Sequence, residues 1–255
     1  MVSIDLNSDL GEGFGPFRVG ADDDLFPLIS SANVACGAHG GDPLTMDRTV
    51  RKAREHGVAV GAHPGFPDRA GFGRRAMALT PAEIRAEVIF QVGALGAFCR
   101  IAGVPMLHVK AHGALYNLAV AEPEIANAIA LAVRDVDPAL RFFALPGSAL
   151  EQAAIDAGLP VMREAFADRA YLPDGTLAPR ALPGSIIHDP EVAASRMVRL
   201  VTDGTIVALD GSTLQLQADT ICVHSDTSGA VAIATELVRH LRDAGVTVRT
   251  PGSGS

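Results

Sequence analysis

The sequence has no tryptophan, two tyrosines, three cysteines, and only two lysines, Lys52 and Lys110, beside nineteen arginines. Each shortage excludes something. With a formal net charge of −8 and no basic patch interleaved with aromatics, the chain is not built to face nucleic acid or an anionic membrane. Cys36, Cys99 and Cys222 are odd in number and far apart, which excludes a disulfide framework and a Cys-x-x-Cys metal site and fits a reducing compartment. Polar residues interrupt every apolar run well short of a bilayer's width. The opening Met1-Val2-Ser3-Ile4-Asp5 shows neither the charged nor the apolar region of a signal peptide, so a cytoplasmic location is expected. No Walker-type phosphate loop is present, and no Gly-x-Gly-x-x-Gly follows a strand, so the residues make no independent case for a nucleotide site.

What the chain does have is apolar material, 48% of 255 residues, enough for a sizeable core. Its punctuation repeats. At His56-Gly57-Val58, Ala102-Gly103-Val104, Ala157-Gly158-Leu159 and Ala244-Gly245-Val246 a helical segment ends on glycine and an apolar strand begins at once. Four such junctions predict alternating β and α elements and a parallel sheet with helices outside. Strands are expected over 2–7, 32–36, 58–62, 107–111, 141–145, 161–165 and 221–223, with a weaker one at 246–248. Asp42-Pro43 predicts one helix start and the capping box Thr80-Pro81-Ala82-Glu83 another, the latter carrying the stripe Ile84, Val88, Val92, Leu95. Further helices are expected around Ile125, Ile129 and Val133, and over 148–157, 191–201 and 228–244. Asp210-Gly211 between β-prone runs predicts a small hairpin on the rim, and the Pro-rich loop 168–184 is too long for a plain connector. The fold class expected is α/β, one barrel domain over 1–249 with a loose tail at 250–255.

The stretch His108-Val109-Lys110-Ala111-His112 is the most telling. Strand alternation puts His108, Lys110 and His112 on one face, where three ionisable side chains are costly to bury without partners or a task. A rare lysine in an arginine-rich chain points to a compact ammonium chosen for its chemistry; the plain alternative is a side chain snorkelling to solvent. Asp5, Asn7 and Asp9 share a face of the first strand, which predicts a close carboxylate pair suited to acid or base work, with Glu12 just beyond. Asn33, His39, His63, Tyr116, Asn117, Glu164, Asp168 and His224 also fall at or past strand ends, the rim where barrel sites are built. Helix caps account for Asp42 but not for the histidines. Gly37–Gly41 and Gly61–Gly65 are glycine-rich turns carrying His39 and His63, able to admit a small substrate close to the backbone. Carboxylates with His63 or His112 could instead hold a metal, a choice the spacing leaves open. A Cys36–His39 nucleophile pair is a lesser alternative.

Asp5-Leu6-Asn7-Ser8-Asp9-Leu10-Gly11-Glu12, the block 33–42, Gly61-Ala62-His63-Pro64-Gly65-Phe66-Pro67-Asp68 and the block 108–117 together resemble the LamB/YcsF family, and the blocks 164–171 and 222–226 match as well. The resemblance runs nearly end to end and in order. It implies a seven-stranded, TIM-like barrel of the glycoside hydrolase/deacetylase type. It also implies an ATP-dependent hydrolysis of 5-oxo-L-proline to L-glutamate, carried out with separate B and C subunits and with ATP as co-substrate. Under it, Asp9 or Glu12 activates water while Lys110 and His63 stabilise developing negative charge. Asp5, Asn7, Asn33, His39, His112, Tyr116, Asn117, Glu164, Asp168 and His224 would then bind the substrate. The alternatives are a stand-alone metal-dependent deacetylase or amide hydrolase and a non-catalytic, scaffolding role in the complex. Whether a metal is bound stays open.

Overall fold

The structure, a computed structural model, describes residues 2–250. Seven strands close into a parallel barrel: β1 (Ser3–Leu10), β2 (Ser31–Ala35), β3 (Ala59–His63), β4 (Met106–Val109), β5 (Arg141–Ala144), β6 (Val161–Phe166) and β9 (Thr220–Cys222) pair in that order, and β9 returns to β1. Between β6 and β9 lies the expected hairpin, β7 (Thr205–Val207) with β8 (Thr213–Gln215), antiparallel and turned at Asp210-Gly211. A last short strand, β10 (Thr247–Val248), runs parallel to the start of β1. The tail expected at 250–255 lies, but for Thr250, outside the described residues. Among the described residues no helix is long and apolar enough to cross a membrane.

Helices wrap the barrel where the sequence marks them. In α2 (Pro43–His56) the Asp42 carboxylate accepts from Thr45 N–H at 2.8 Å, and Gly57 closes the helix in the left-handed region at φ 67°. In α3 (Pro81–Ala102) both halves of the Thr80–Glu83 box form, and Ile84, Val88, Val92 and Leu95 are buried. The outer shell continues through α5 (Pro123–Val136), α6 (Ala149–Asp156), α7 (Pro190–Asp203) and α8 (Ala230–Asp243). Two helices were not expected: the single turn α1 (Asp22–Leu25) and α4 (Gly113–Ala121). The second starts at His112 without a side-chain cap and reads Gly-Ala-Leu-Tyr-Asn-Leu-Ala-Val-Ala, so it carries neither a start signal nor a polar face. The first strand also runs on to Leu10, three residues past expectation, and thereby carries Asp9 within the sheet.

The barrel separates its two faces by chemistry. Ile4, Leu6 and Leu10 of β1 join the apolar core. The alternate residues point inward and are polar, a hydrogen-bonded ladder in place of the usual aliphatic layers. At its base the Asp5 carboxylate accepts from Ser30 Oγ (2.6 Å), Ser31 Oγ (2.7 Å) and Thr220 Oγ1 (2.6 Å). One layer up, Asn7 Nδ2 donates to Thr220 Oγ1 (2.7 Å) and Asn33 Nδ2 donates to Asn7 Oδ1 (2.7 Å). His108 Nε2 donates to Asn33 Oδ1 (2.8 Å), and its ring stacks on Phe143 at 4.3 Å. Gly61 makes room for that imidazole, because a Cβ at this position would be built into the ring. A buried polar interior holds only when its members are satisfied, and each of these has a partner within hydrogen-bonding reach.

Candidate active site

Above the ladder, at the C-terminal ends of the strands, a cavity of about 580 Å³ opens. Asp9, His63, Lys110, His112, Tyr116, Asn117 and His224 line it, bringing together seven expected residues from four strand ends and α4. Lys110 does not snorkel to solvent; it is 2% exposed. Its ammonium donates to Asp9 Oδ1 (3.0 Å) and Cys222 Sγ (3.0 Å), and Glu164 Oε1 lies 2.8 Å away. Burial would lower this amine, but Asp9, the Cys222 sulfur and Glu164 hold it well above its ordinary range. Burial would likewise raise Asp9, but His63 and Lys110 overcome it and keep that carboxyl well below the carboxylate range. Lys110 is thus the counter-ion that keeps a buried carboxylate ionised, with its donors already committed.

The carboxylate pair expected from strand alternation is not Asp5 with Asp9. Asn7 separates them along β1, and Asp5 sits at the base of the ladder, tied to three hydroxyls and raised to about 6 by burial. The acid that feels Asp9 is Glu12, whose carboxyl is pushed well up by burial and then by the Asp9 charge. Asp5, Asn7 and Asn33 therefore support the cavity from beneath; they do not line it.

Behind His63 and His112 lie Glu12 and His39, both buried. The His39 and His112 rings stack face to face, 3.6 Å between centroids and 2° between planes. Gly65 and Gly73 back this stack: a Cβ at Gly65 would come within 2.7 Å of His39 Nδ1, and one at Gly73 within 2.7 Å of His39 Cβ. Burial lowers both imidazoles well below the histidine range. Glu12, His39, His63 and His112 each offer a ligand atom, all within 4.8 Å of one another. Cys36 is no nucleophile, since burial pushes its thiol up to about 12 and its Sγ donates to Val34 O.

On the opposite wall Asp168 orients His224. The imidazole Nδ1 lies 2.9 and 3.0 Å from the two Asp168 oxygens, and Thr227 Oγ1 donates to the same carboxylate at 2.6 Å. Against the cost of burial, His224 and Thr227 hold Asp168 down at about 2. His224 Nε2 then points across to Asp9 Oδ2 at 3.9 Å. Glu164 and Asp168 are fully buried and act through Lys110 and His224. Tyr116 lines the wall with its phenol raised by burial and by the Glu164 charge.

Three arginines complete the cavity, and only Arg169 stands in a block singled out by the sequence. Arg74, Arg169 and Arg180 line it from the loops after β3 and β6. Arg169 is 6% exposed and donates through Nη2 to Ala178 O (2.6 Å), while its Nε is buried without a hydrogen bond. Burial and the Arg180 charge lower it to about 10. Arg74 reaches Asp226 Oδ2 at 2.7 Å and lies over the Phe72 ring. The length of the loop 168–184 was the one available signal for Arg180; nothing in the sequence marks Arg74.

This arrangement can hold an anionic molecule against arginines while an oriented imidazole and an ionised carboxylate meet its far end. Comparison with known proteins agrees with the blocks that shape it. The A subunit of 5-oxoprolinase from Symbiobacterium thermophilum is 54% identical over 98% of this chain and 96% of its own length, and that from Thermus thermophilus 53% over 97% and 99%. A crystal structure of a lactam utilization protein from Thermus thermophilus superposes with a TM-score of 0.93 at 53% identity, covering 97% of this chain and 99% of that one. The LamB/YcsF family pattern matches residues 4–254, and with the barrel and its polar interior in view the chain belongs to that family.

Proposed function

We propose that this chain is the A subunit of a 5-oxoprolinase and hydrolyses an activated form of 5-oxo-L-proline to L-glutamate, with B and C subunits performing the ATP-dependent activation. The observation that carries this is the Asp168–His224 dyad aimed at Asp9 across a cavity lined by three arginines. A five-membered lactam is a stabilised amide, so its opening must be driven, and phosphorylation of the amide oxygen supplies the drive. The activated molecule then carries a carboxylate and a phosphoryl group, two anions suited to guanidinium forks. Arg169, with its buried Nε left over, and Arg74 and Arg180 are the groups to receive them.

Asp9 Oδ1 is taken by Lys110 and Asn33 and its Oδ2 has His63 Nε2 3.3 Å away, whereas His224 has Nδ1 fixed on Asp168 and Nε2 toward the cavity. His224 is therefore assigned as the proton acceptor, in place of the carboxylates expected from sequence. Water adds its oxygen to the ring carbonyl carbon as His224 takes its proton. The C–N bond breaks as that proton and the added hydroxyl's own proton pass to the departing nitrogen, which leaves as the amine, and a γ-acyl phosphate remains. A second water converts that to glutamate and phosphate.

The test is reconstitution with B and C subunits, following glutamate from 5-oxoproline and ATP. Glutamate is expected only in the complete mixture, with kcat for His224→Ala lower by about 10²–10⁴-fold. Glutamate made by this chain alone would overturn the division of labour. Unchanged turnover by His224→Ala would leave the chain as a scaffold.

A further inference from the structure

The cluster behind the cavity floor gathers more lone pairs than its own hydrogens satisfy, and a cation would satisfy them. His63 Nδ1 lies 2.8 Å from Lys110 O, and His112 Nε2 lies 2.8 Å from Phe72 O. A carbonyl only accepts, so each of these nitrogens carries the hydrogen. The remaining nitrogens, His63 Nε2 and His112 Nδ1, each present a lone pair, yet they face each other at 2.9 Å. Carboxylate oxygens crowd the same place: Asp9 Oδ2 is 3.3 Å from His63 Nε2, and Glu12 Oε1 is 3.3 Å from His112 Nδ1 and 3.2 Å from His39 Nε2. Lone pairs and carboxylate oxygens converge there, while the Lys110 ammonium is committed to Asp9 Oδ1, Cys222 Sγ and Glu164. His39 Nδ1, in a fully buried ring, is also left without a partner.

One extra proton between His63 and His112 would mend one contact and leave Glu12 and His39 as they are. We propose that Glu12, His39, His63 and His112 bind a single divalent transition-metal ion, zinc by the chemistry of three imidazoles and one carboxylate. The outer contacts are those of metal-bound histidines, in which the second ring nitrogen donates to a backbone carbonyl and fixes the tautomer. Four strand ends contribute one ligand each, and Gly65 and Gly73 keep the space that the stacked imidazoles need. His63 and His112 also line the cavity, so the ion belongs beside Asp9 at its floor, where it would supply Lewis acidity.

This inference concerns binding and stands or falls apart from the lactam reaction. The full chain, treated with chelator, is titrated with zinc sulfate by calorimetry, and cobalt(II) is followed by its visible absorption. One equivalent of zinc and a cobalt spectrum of nitrogen–oxygen ligation are expected. Glu12→Gln, nearly isosteric, and His39→Ala should each weaken zinc by more than the roughly 10–100-fold that loss of an outer contact costs. His188→Ala, on the loop before α7, should leave it unchanged, and circular dichroism checks that each variant is folded. Absence of stoichiometric binding, or binding that both ligand variants retain, would overturn the proposal. So would nitrogen NMR showing a His63 or His112 imidazolium in metal-free protein that persists when zinc is added.

Discussion

Lys110→Met is the sharpest single probe of the buried ladder. It replaces the ammonium between Asp9 and Glu164 with a side chain of similar length, so packing changes little and charge changes by one unit. Asp9 and Glu164 are then left facing one another in a site that is at most 6% exposed. Removing one partner of a buried ion pair costs about 3–5 kcal/mol, because the other stays buried and uncompensated. For a chain of this size each kcal/mol moves Tm by about 2–4 °C, so a fall of roughly 6–20 °C is expected. The loss should depend on pH with a definite sign. Asp9 is held below its unfolded value, so it contributes stability above the unfolded carboxylate pKa near 4, and that contribution fades as pH falls through the folded value. Without Lys110 burial works against His63 and His224 only, so Asp9 sits higher in the variant and is relieved by taking up a proton as pH falls toward 4. The gap between wild type and variant should be full at pH 7.5 and should shrink at pH 4. Urea denaturation at both values measures it, with Lys110→Arg, which keeps the charge but not the fit, falling between. A gap below about 1 kcal/mol at pH 7.5, or one equal at both pH values, would refute Lys110 as counter-ion.

Gly61→Ala should destabilise by about 1–3 kcal/mol, since the new methyl group meets the His108 ring; the loss should be smaller when measured in a His108→Ala background, and simple additivity in urea melts would count against the clash. Asp5→Asn should flatten stability against pH between about 4 and 6.5. In wild type the folded pKa is raised to about 6, so the protonated acid's contribution is full below the unfolded value and is lost as pH rises through the folded one, about 3 kcal/mol in all. Asp168→Asn should lower kcat of the reconstituted enzyme by about 10² or more with little change in KM, because His224 loses its orienting carboxylate; an effect on KM alone would instead mark Asp168 as a binding residue.

The fold was largely legible because its signals are local. Asp42-Pro43, the Thr80–Glu83 box and the helix-ending glycines each satisfy backbone groups within one turn, and all stand where expected. Alternation along β1 put Asp5, Asn7 and Asp9 on one face, as found, but could not say how deep each lies. Depth is fixed by the register of neighbouring strands, Asp5 against Thr220 and Asp9 against Asn33, and register is a tertiary fact. That is why the expected Asp5–Asp9 pair dissolved into a structural base and a cavity carboxylate. The helix α4 was illegible for a different reason: apart from Tyr116 and Asn117 it is apolar, and it is uncapped, so period and punctuation both fail. Arg74 and Arg180 escaped because an arginine in a loop looks the same whether it faces water or a cavity.

The polar interior binds stability and site into one network. The hydrogen bonds run from Thr220 through Asn7 and Asn33 to Asp9 and Lys110 without interruption. A conventional barrel could lose a residue near the mouth and keep its core, since aliphatic layers below do not depend on it. Here Asn33 touches Asn7, Asp9 and His108 at once, so deleting its amide leaves three partners on two strands unpaired. Each stranded buried group costs about 1–3 kcal/mol. The same coupling fixes Asp9 from below and from the side, leaving its approach to His224 as the direction open to the cavity. A site that must hold a carboxylate ionised and still within a dry interior needs such support, and the fold supplies it by giving up the aliphatic filling that would have made the barrel more stable and inert.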